Sequence, residues 1–375
     1  MSAVSAAVRV PLLDLSASHR YLRDDLLAAL QELIDSGEFT NGPEVAEFEA
    51  TFGQYCGVKH CVGLASGLDA LRLALAAIEP EPGEEAILPA NTFVATAEAV
   101  VQAGLVPVLA DVSEADYNLD PEAVTDSVTP RTRVVVPVHL YGQMADMVRL
   151  LADAESRGLD VVEDACQAHG AQRDGLGAGA GGRAGAFSFY PAKNLGAFGD
   201  AGALVTWDER LTARVRALRE HGQTAKHRHE VVGYSARLDT LQAVVLLRKL
   251  PLLSAWTEER RVIADAYSEA LTGVGDVRLP PVPPGSKPVW HLYEIRTGRA
   301  DELAAFLAER GIETGRHYPS PVHLTPAFAY LGHGPGAFPV SEALALELVS
   351  LPIYPGLGDD RLDVVLTAIR EFFDG

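Results

Sequence analysis

The chain has 375 residues, of which 48% are hydrophobic and 22% charged, a composition that is typical of folded globular proteins and argues against disorder. Its length predicts two packed domains. The 31 basic and 51 acidic residues give a formal net charge of −20, which disfavours nucleic acids and anionic membranes as partners.

The N-terminal sequence and the cysteines predict a cytoplasmic protein. No run reaches the roughly 18 apolar residues of a membrane span, and the first residues lack the basic segment and long apolar core of a signal peptide. The cysteines are Cys56, Cys61 and Cys166. Because they are odd in number and lack paired spacing, we expect neither a disulfide framework nor a metal site.

Short apolar runs alternate with helical segments through the first 250 residues. The runs that predict strands are AILPA (86–90), LVPVLADV (105–112), RVVVPVHL (133–140), LDVVEDA (159–165), AGAFSFY (184–190) and GALVTW (202–207). Helical spacing is found at 70–79, 96–104 and 147–158. Nearly continuous hydrophobicity is typical of strands buried on both faces. The alternation therefore predicts an α/β fold with a mostly parallel sheet.

The last third of the chain has a different pattern. A charged helical stretch at 254–271 leads to the proline-rich PPVPPGSKP (280–288), one predicted strand, WHLYEIR, and a final helix, RLDVVLTAIREFFD. We predict a large domain at residues 1–250, with an N-terminal arm at 1–30, and a smaller α+β domain at 251–375. GLGAGAGGRAG (175–185) predicts a flexible loop.

A small-residue turn opens the helix predicted in ASGLDALRLAL (65–75). Free backbone amides at a helix N-terminus favour a phosphate, and Ser66 and Gly67 allow it to approach closely. The alternative is an ordinary capped helix, which the motif alone favours.

A carboxylate ends the apolar strand of VVEDACQAHG (161–170). Asp164 is expected to be desolvated unless it meets a cation, and one use for it is to keep a pyridinium nitrogen protonated. A cap on the next helix is the alternative.

A lysine follows a strand and a proline in SFYPAKNLGAFGDAGALV (188–205). Lys193 in a confined site can have a pKa low enough for a nucleophile, and Ser188 offers a hydroxyl to a phosphate. A lysine on a surface turn is the weaker alternative. Together with Asp164 and the helix turn, these residues are the parts of a pyridoxal phosphate site.

Five segments resemble the DegT/StrS-type sugar aminotransferases, and they come in the order expected of that family. They are TFVAT (92–96), EDACQAHGA (163–171), SFYPAKNLGAFGDAGALVT (188–206), GYSARLDTLQA (233–243) and HYPSPVHL (317–324). The resemblance implies a fold-type I enzyme that depends on pyridoxal 5′-phosphate, with a mostly parallel seven-stranded sheet flanked by helices. It implies that an amino group passes, from L-glutamate, to C3 or C4 of a nucleoside-diphosphate keto-deoxysugar, with a slight preference for C3.

The same resemblance assigns roles to residues. Lys193 would bind the cofactor covalently and carry a proton, Asp164 would pair with the ring nitrogen, and Gln167 would lie at the ring oxygen. Phe93 would stack on the ring, and His169 is interpreted as a buried, hydrogen-bonded histidine. The residues that would surround the phosphate are Ser66, Gly67, Leu68 and Ser188.

Family members are homodimers whose active sites use residues of both subunits. In this chain, the residues contributed to the partner's site would lie at 226–237. Ser235 of the partner subunit is expected at the cofactor, at a position where the family usually has Asn. Leu68 stands where the family often has Thr. We expect the substrate to contact Lys226, Arg228, His229, His317, Tyr318 and His323. For the basic loop at 226–230, a solvated loop is an equal alternative.

The residues disfavour three other functions. Sugar dehydratases of the same fold replace the lysine with His, and some add an iron–sulfur cluster, whereas this chain has Lys193 and no clustered cysteines. A non-catalytic ligand sensor would have no use for a proton-carrying lysine. A Rossmann-type enzyme ranks last because no G-x-G-x-x-G follows the first strands with an acidic residue about 20 positions on.

Overall fold

The computed structural model describes residues 10–375. Its strands are β1 His60–Leu64, β2 Glu85–Pro89, β3 Val106–Ala110, β4 Thr132–Val135, β5 Asp160–Asp164, β6 Gln172–Arg173, β7 Leu176–Gly177, β8 Ala184–Ser188, β9 Gly202–Thr206, β10 Gln223–Ala225, β11 Arg228–His229, β12 Ser286–Lys287, β13 Tyr293–Arg296 and β14 Leu348–Leu351. Each strand predicted from an apolar run in the first 250 residues is present. No apolar run predicted β1 or the short strands β6, β7, β10 and β11.

The α-helices are α1 Leu15–His19, α2 Arg23–Ser36, α3 Pro43–Cys56, α4 Gly67–Ala77, α5 Val94–Gln102, α6 Pro121–Ser127, α7 Met147–Arg157, α8 Glu209–Arg219, α9 Thr240–Lys249, α10 Leu253–Leu271, α11 Ala300–Glu309, α12 Pro339–Glu347 and α13 Asp359–Asp374. Short 3₁₀ turns occupy Leu140–Gly142, Leu250–Leu252, Val322–Leu324 and Pro326–Leu331. None of the helices within residues 10–375 combines the length and the apolar character that crossing a membrane requires.

Seven strands form the central sheet in the order β1-β9-β8-β5-β4-β2-β3. The pairs from β8 through β5, β4 and β2 to β3 are parallel, whereas β9 runs antiparallel to both of its neighbours. The predicted seven-stranded, mostly parallel α/β fold is confirmed. The carboxyl ends of the parallel strands share one edge, which is where open α/β sheets bind ligands.

Successive strand residues supply different cores on the two faces of the sheet. Ile87 and Val135 pack with Phe52 of α3 on one face, while Leu88 and Val134 pack on the other face with residues of α4 and α5. This alternation follows from the two-residue period of a strand. It explains why these strands are apolar almost without interruption.

A further core lies among α10, α11, α13, β13 and β14. Val10 also belongs to this core, and its backbone forms hydrogen bonds of 2.9 Å with those of Gly311 and Glu313. The division into residues 1–250 and 251–375 stays a prediction. Residues 1–9 of the predicted N-terminal arm lie outside the described residues.

The glycine-rich segment at 175–185 is more restrained than the flexible loop that we predicted. The carboxylate of Glu163, which is fully buried, accepts hydrogen bonds from three of its amides, those of Gly179, Gly181 and Gly182, at 2.8, 2.9 and 2.7 Å. The low sequence complexity of this segment therefore reflects small residues that fold around the Glu163 carboxylate.

Candidate active site

One cavity of about 620 Å³ opens at the carboxyl ends of the parallel strands. The predicted site residues that line it are Ser66, Gly67, Leu68, Phe93, Asp164, Gln167, Ser188, Lys193, His317 and Tyr318. The other predicted site residues, which do not line it, are Lys226, Arg228, His229, Ser235 and His323. Three sequence-distant motifs and the HYPSPVHL segment thus meet in one place.

The N-terminus of α4 forms one wall. Ser66 caps the helix by accepting a hydrogen bond from the amide of Asp69 at 3.0 Å, so the capped-helix alternative is realised. The Ser66 hydroxyl proton stays available as a donor, and the amides of the first turn point out of the helix. A capped helix and an anion site are therefore compatible here.

Close packing requires a glycine at the start of this helix. A Cβ atom at Gly67 would lie 2.5 Å from Cβ of Ser188 and 2.8 Å from Sγ of Cys166. The glycine lets the α4 N-terminus approach the end of β8, where Ser188 lies. Leu68 adds only its backbone to the donors of this wall.

Asp164 lies at the end of β5 and is only 7% exposed. Its Oδ2 accepts a hydrogen bond from Thr96 Oγ1 at 2.8 Å, and its Oδ1 accepts one from the Cys166 amide at 3.2 Å. Thr96 Oγ1 is itself 2.9 Å from Thr92 Oγ1. Among the described residues, two hydrogen-bond donors, and not an ion pair, therefore stabilise the Asp164 carboxylate. The sequence analysis missed Thr96, although it lies in the TFVAT motif.

Gln167 is held on both sides of its amide. Its Oε1 accepts from the Tyr141 amide at 2.7 Å, and its Nε2 donates to the Tyr318 hydroxyl at 3.0 Å. The Tyr141 hydroxyl donates in turn to the His317 carbonyl at 2.5 Å. Burial raises the pKa of Tyr318, which keeps the phenol neutral. Tyr141 was not predicted, since its contacts depend on the folded chain.

Lys193 is the nucleophile candidate. Burial lowers the pKa of its amine, while the nearby Cys166 and Asp164 act in the opposite direction. Among residues 10–375, no side chain or carbonyl hydrogen-bonds to its Nζ. A lowered pKa raises the fraction of neutral amine, which is the reactive form.

Aromatic and imidazole side chains complete the cavity wall. Phe93 is half exposed, and its ring centroid lies 5.5 Å from that of Tyr318. His317 Nδ1 lies 2.6 Å from Ser350 Oγ, and Ser350 donates to Glu294 at 2.5 Å. Because the Ser350 proton goes to Glu294, Ser350 accepts from His317, whose Nδ1 carries the proton.

His169 is buried, as predicted, whereas its hydrogen bond stays a prediction. Among residues 10–375, neither ring nitrogen makes a hydrogen bond of good geometry. The ring centroid lies 5.3 Å from that of Phe187 and 5.5 Å from that of Phe189. Burial lowers the pKa of His169 to about 3. The residue therefore acts as a neutral aromatic component of the core.

The basic loop lies away from the cavity of its own chain. Lys226 lies between the strands of the exposed β10–β11 ribbon, and Arg228 pairs with Glu230 at 2.6 Å. His229 Nδ1 lies 2.9 Å from the carbonyl of His221. Contact of these residues with substrate, in either subunit, stays a prediction.

Two other predicted residues also lie outside the cavity. Ser235 is exposed, and its hydroxyl accepts from Arg237 at 3.2 Å. His323 is buried, with Nε2 at 3.0 Å from Glu342 and its ring against Phe338. A cofactor role for Ser235 across a dimer interface and a substrate role for His323 stay predictions.

The donor set fits pyridoxal phosphate. The α4 N-terminus and two serine hydroxyls suit a phosphate, a hydrogen-bonded carboxylate suits a pyridinium nitrogen, and a buried amine suits an aldehyde. The close approach that Gly67 permits brings the phosphate donors to the cavity wall. Within residues 10–375, no group of three or more His, Cys, Asp or Glu side chains is arranged to hold a metal ion.

Comparisons with known proteins identify the family of the chain. The model of the DegT/DnrJ/EryC1/StrS aminotransferase family matches residues 20–370. The chain is 46% identical to a dTDP-3-amino-3,4,6-trideoxy-α-D-glucose transaminase of Streptomyces venezuelae, over 99% of this chain and 98% of the relative.

Solved structures of aminotransferases are similar to this chain in both fold and sequence. A crystal structure of S. venezuelae DesV with a ketimine intermediate superposes with a TM-score of 0.96 at 46% identity, covering 98% of this chain and 99% of that one. NtdA of Bacillus subtilis, solved with bound cofactor PMP, has a TM-score of 0.90 at 29% identity and covers 100% of this chain, which covers 87% of NtdA. The predicted family and the predicted pyridoxal phosphate dependence are thereby confirmed, and the chain belongs to the DegT/DnrJ/EryC1/StrS aminotransferase family.

Proposed function

We propose that the protein transfers an amino group from L-glutamate to the C3 keto carbon of a nucleoside-diphosphate keto-deoxysugar in amino-sugar biosynthesis. The observation that carries this proposal is the meeting of Lys193, Asp164 and the α4 N-terminus in one cavity. The name of the relative from S. venezuelae, which specifies a 3-amino sugar, supports C3 over C4.

Each wall of the cavity then has a part in two successive half-reactions. Bound pyridoxal phosphate supplies an electrophilic carbon and accepts electron density from the substrate. Lys193 holds the cofactor and, once released, moves a proton at its Nζ. Asp164, whose carboxylate accepts a hydrogen bond from Thr96, would pair with the ring nitrogen, and the Gln167 amide fixes the position of Tyr318.

The working unit in this proposal is a cytoplasmic homodimer with shared sites. The exposed loop at 226–230, which contains Lys226 and Arg228, reaches the nucleotide diphosphate in the partner subunit. The three free cysteines support a reducing compartment.

Absorbance spectra of the protein loaded with pyridoxal phosphate test the proposal. We expect a visible band that L-glutamate bleaches and that a 3-keto sugar nucleotide restores, whereas a 4-keto sugar nucleotide restores it much more slowly. Lys193→Ala removes the covalent attachment and is expected to lose both responses.

Two results would contradict this function. A band that L-glutamate leaves unchanged at every concentration would point to another donor or to a ligand sensor. A band that glutamate bleaches but that no keto sugar nucleotide restores would exclude the acceptor class.

A further inference from the structure

His291 lines the active-site cavity, although no sequence motif assigned it a role. The WHLYEIR segment was predicted as a strand, but β13 begins only at Tyr293. Trp290, just before His291, has a left-handed φ of +46°, which is strained for a bulky residue. Such strain persists only where the surroundings hold the backbone.

The surroundings hold this turn from several sides. The Val289 amide donates to the Gly142 carbonyl at 2.9 Å, and the Arg260 guanidinium donates to the Trp290 carbonyl at 3.0 Å. A Cβ atom on Gly142 would lie only 2.8 Å from the His291 amide nitrogen. The turn is therefore packed too tightly for the imidazole to shift freely.

Asn194, the neighbour of Lys193, fixes the tautomer of this imidazole. Its Nδ2 donates to the Val289 carbonyl at 2.9 Å, so its Oδ1 is the atom that lies 3.1 Å from His291 Nδ1. Since a carbonyl oxygen accepts, Nδ1 carries the proton, and Nε2 keeps a lone pair. No group within residues 10–375 hydrogen-bonds to Nε2.

The imidazole also stays neutral. Burial lowers the pKa of His291 well below its usual value, and the nearby cationic or basic groups of Lys193, Arg260, His317 and His169 act in the same direction. A neutral ring with a free lone pair accepts hydrogen bonds from hydroxyl or amine donors. It offers nothing to a phosphate, which has only acceptors.

We propose that His291 Nε2 accepts a hydrogen bond from the sugar hydroxyl on the carbon next to the one that is aminated. The inference deepens the proposed function and rests on it. A keto carbon carries no donor, and Asn194 places the ring beside Lys193, so the nearest donor of a keto sugar is the adjacent hydroxyl. His291 is then a determinant of sugar specificity.

Substitutions at this position separate recognition from folding. His291→Asn keeps an amide at the level of Nδ1 but lacks an acceptor at Nε2, whereas His291→Gln brings an amide oxygen to that level. We expect the Asn variant to raise the KM of the keto sugar about tenfold, with the rate of the glutamate half-reaction within about twofold of wild type. The Gln variant should recover part of the loss, and His333→Asn, on the exposed surface, should change neither quantity.

A binding measurement without turnover decides the contact. The pyridoxamine phosphate form of the enzyme is titrated calorimetrically with dTDP-3-amino-3,4,6-trideoxyglucose, whose ring hydroxyl is at C2, and with its 2-deoxy counterpart. We expect wild type to bind the hydroxylated sugar about tenfold more tightly and His291→Asn to bind both equally.

Other outcomes overturn the assignment. Equal binding of the two sugars by wild type, or discrimination that His291→Asn retains, would show that His291 does not contact the hydroxyl. If wild type binds neither sugar while glutamate still bleaches its visible band, the proposed acceptor fails, and the assignment fails with it.

Discussion

At the scale of single residues, the carboxylate of Asp164 depends on a hydroxyl that lies far away in the sequence. Thr96 donates to Oδ2 across 68 positions of the chain at 2.8 Å, and Asp164 is only 7% exposed. A hydrogen bond to an ionised group contributes roughly 1.5–3 kcal/mol. In the proposed function this charge pairs with the cofactor nitrogen, so we expect Thr96 to govern cofactor affinity.

We predict that Thr96→Val, which keeps the shape of the side chain, raises the Kd of pyridoxal phosphate roughly tenfold or more. Titration of the cofactor, followed by absorbance, measures the effect. Thr96→Ser retains the hydroxyl and is the matched control, with a Kd close to that of wild type. A Val variant that binds the cofactor as tightly as the Ser variant would show that Asp164 does not need this donor.

At the scale of elements, the sequence predicted what local pattern determines. Buried parallel strands are apolar without interruption, so β5 and β8 were found, and Asp164 and Lys193 stood out after them. β1 was missed because HCVGL has no more than two consecutive apolar residues, with a histidine before them and a glycine after them. His291 was missed for another reason, since its partner Asn194 lies 97 positions away and no period in the sequence reports such a contact.

The glycine-rich segment illustrates the same limit, because its order comes from one buried carboxylate. Glu163 accepts from three backbone amides and from His139, whose Nε2 lies 2.7 Å away. His139 Nδ1 accepts from the Ala145 amide at 3.2 Å, so Nε2 is the protonated nitrogen. Both carboxylate oxygens therefore face only donors.

We predict that Glu163→Gln lowers the free energy of unfolding by roughly 3 kcal/mol, because an amide nitrogen would face donors in place of one oxygen. Denaturant unfolding measures the change, and Glu155→Gln on the exposed face of α7 is the control. Hydrogen exchange at Gly179, Gly181 and Gly182 should accelerate in the variant. If neither the hydrogen exchange nor the free energy of unfolding changed, the result would show that Glu163 does not restrain this segment.

At the scale of the whole molecule, the charge of the chain opposes its proposed substrate. A net charge of −20 repels a nucleoside diphosphate, so binding needs local cations. Lys226 and Arg228 are exposed on the β10–β11 ribbon, away from the cavity of their own chain. In a dimer with shared sites, Lys226 and Arg228 of one subunit would bind the diphosphate at the active site that contains Lys193 of the other subunit.

Subunit mixing tests this sharing. Lys226→Ala/Arg228→Ala is expected to raise the KM of the sugar nucleotide roughly tenfold while sparing the glutamate half-reaction, because charge-assisted bonds to phosphate are lost. Lys193→Ala is expected to be inactive because it lacks the lysine that binds the cofactor.

When the two variants are unfolded together and refolded, they form hybrid dimers in which one site has both defects and the other has none. At sugar concentrations far below the raised KM, the mixture should therefore recover about a quarter of wild-type activity. If each site used only its own chain, hybrids would gain nothing, and the activity would stay at the average of the two variants.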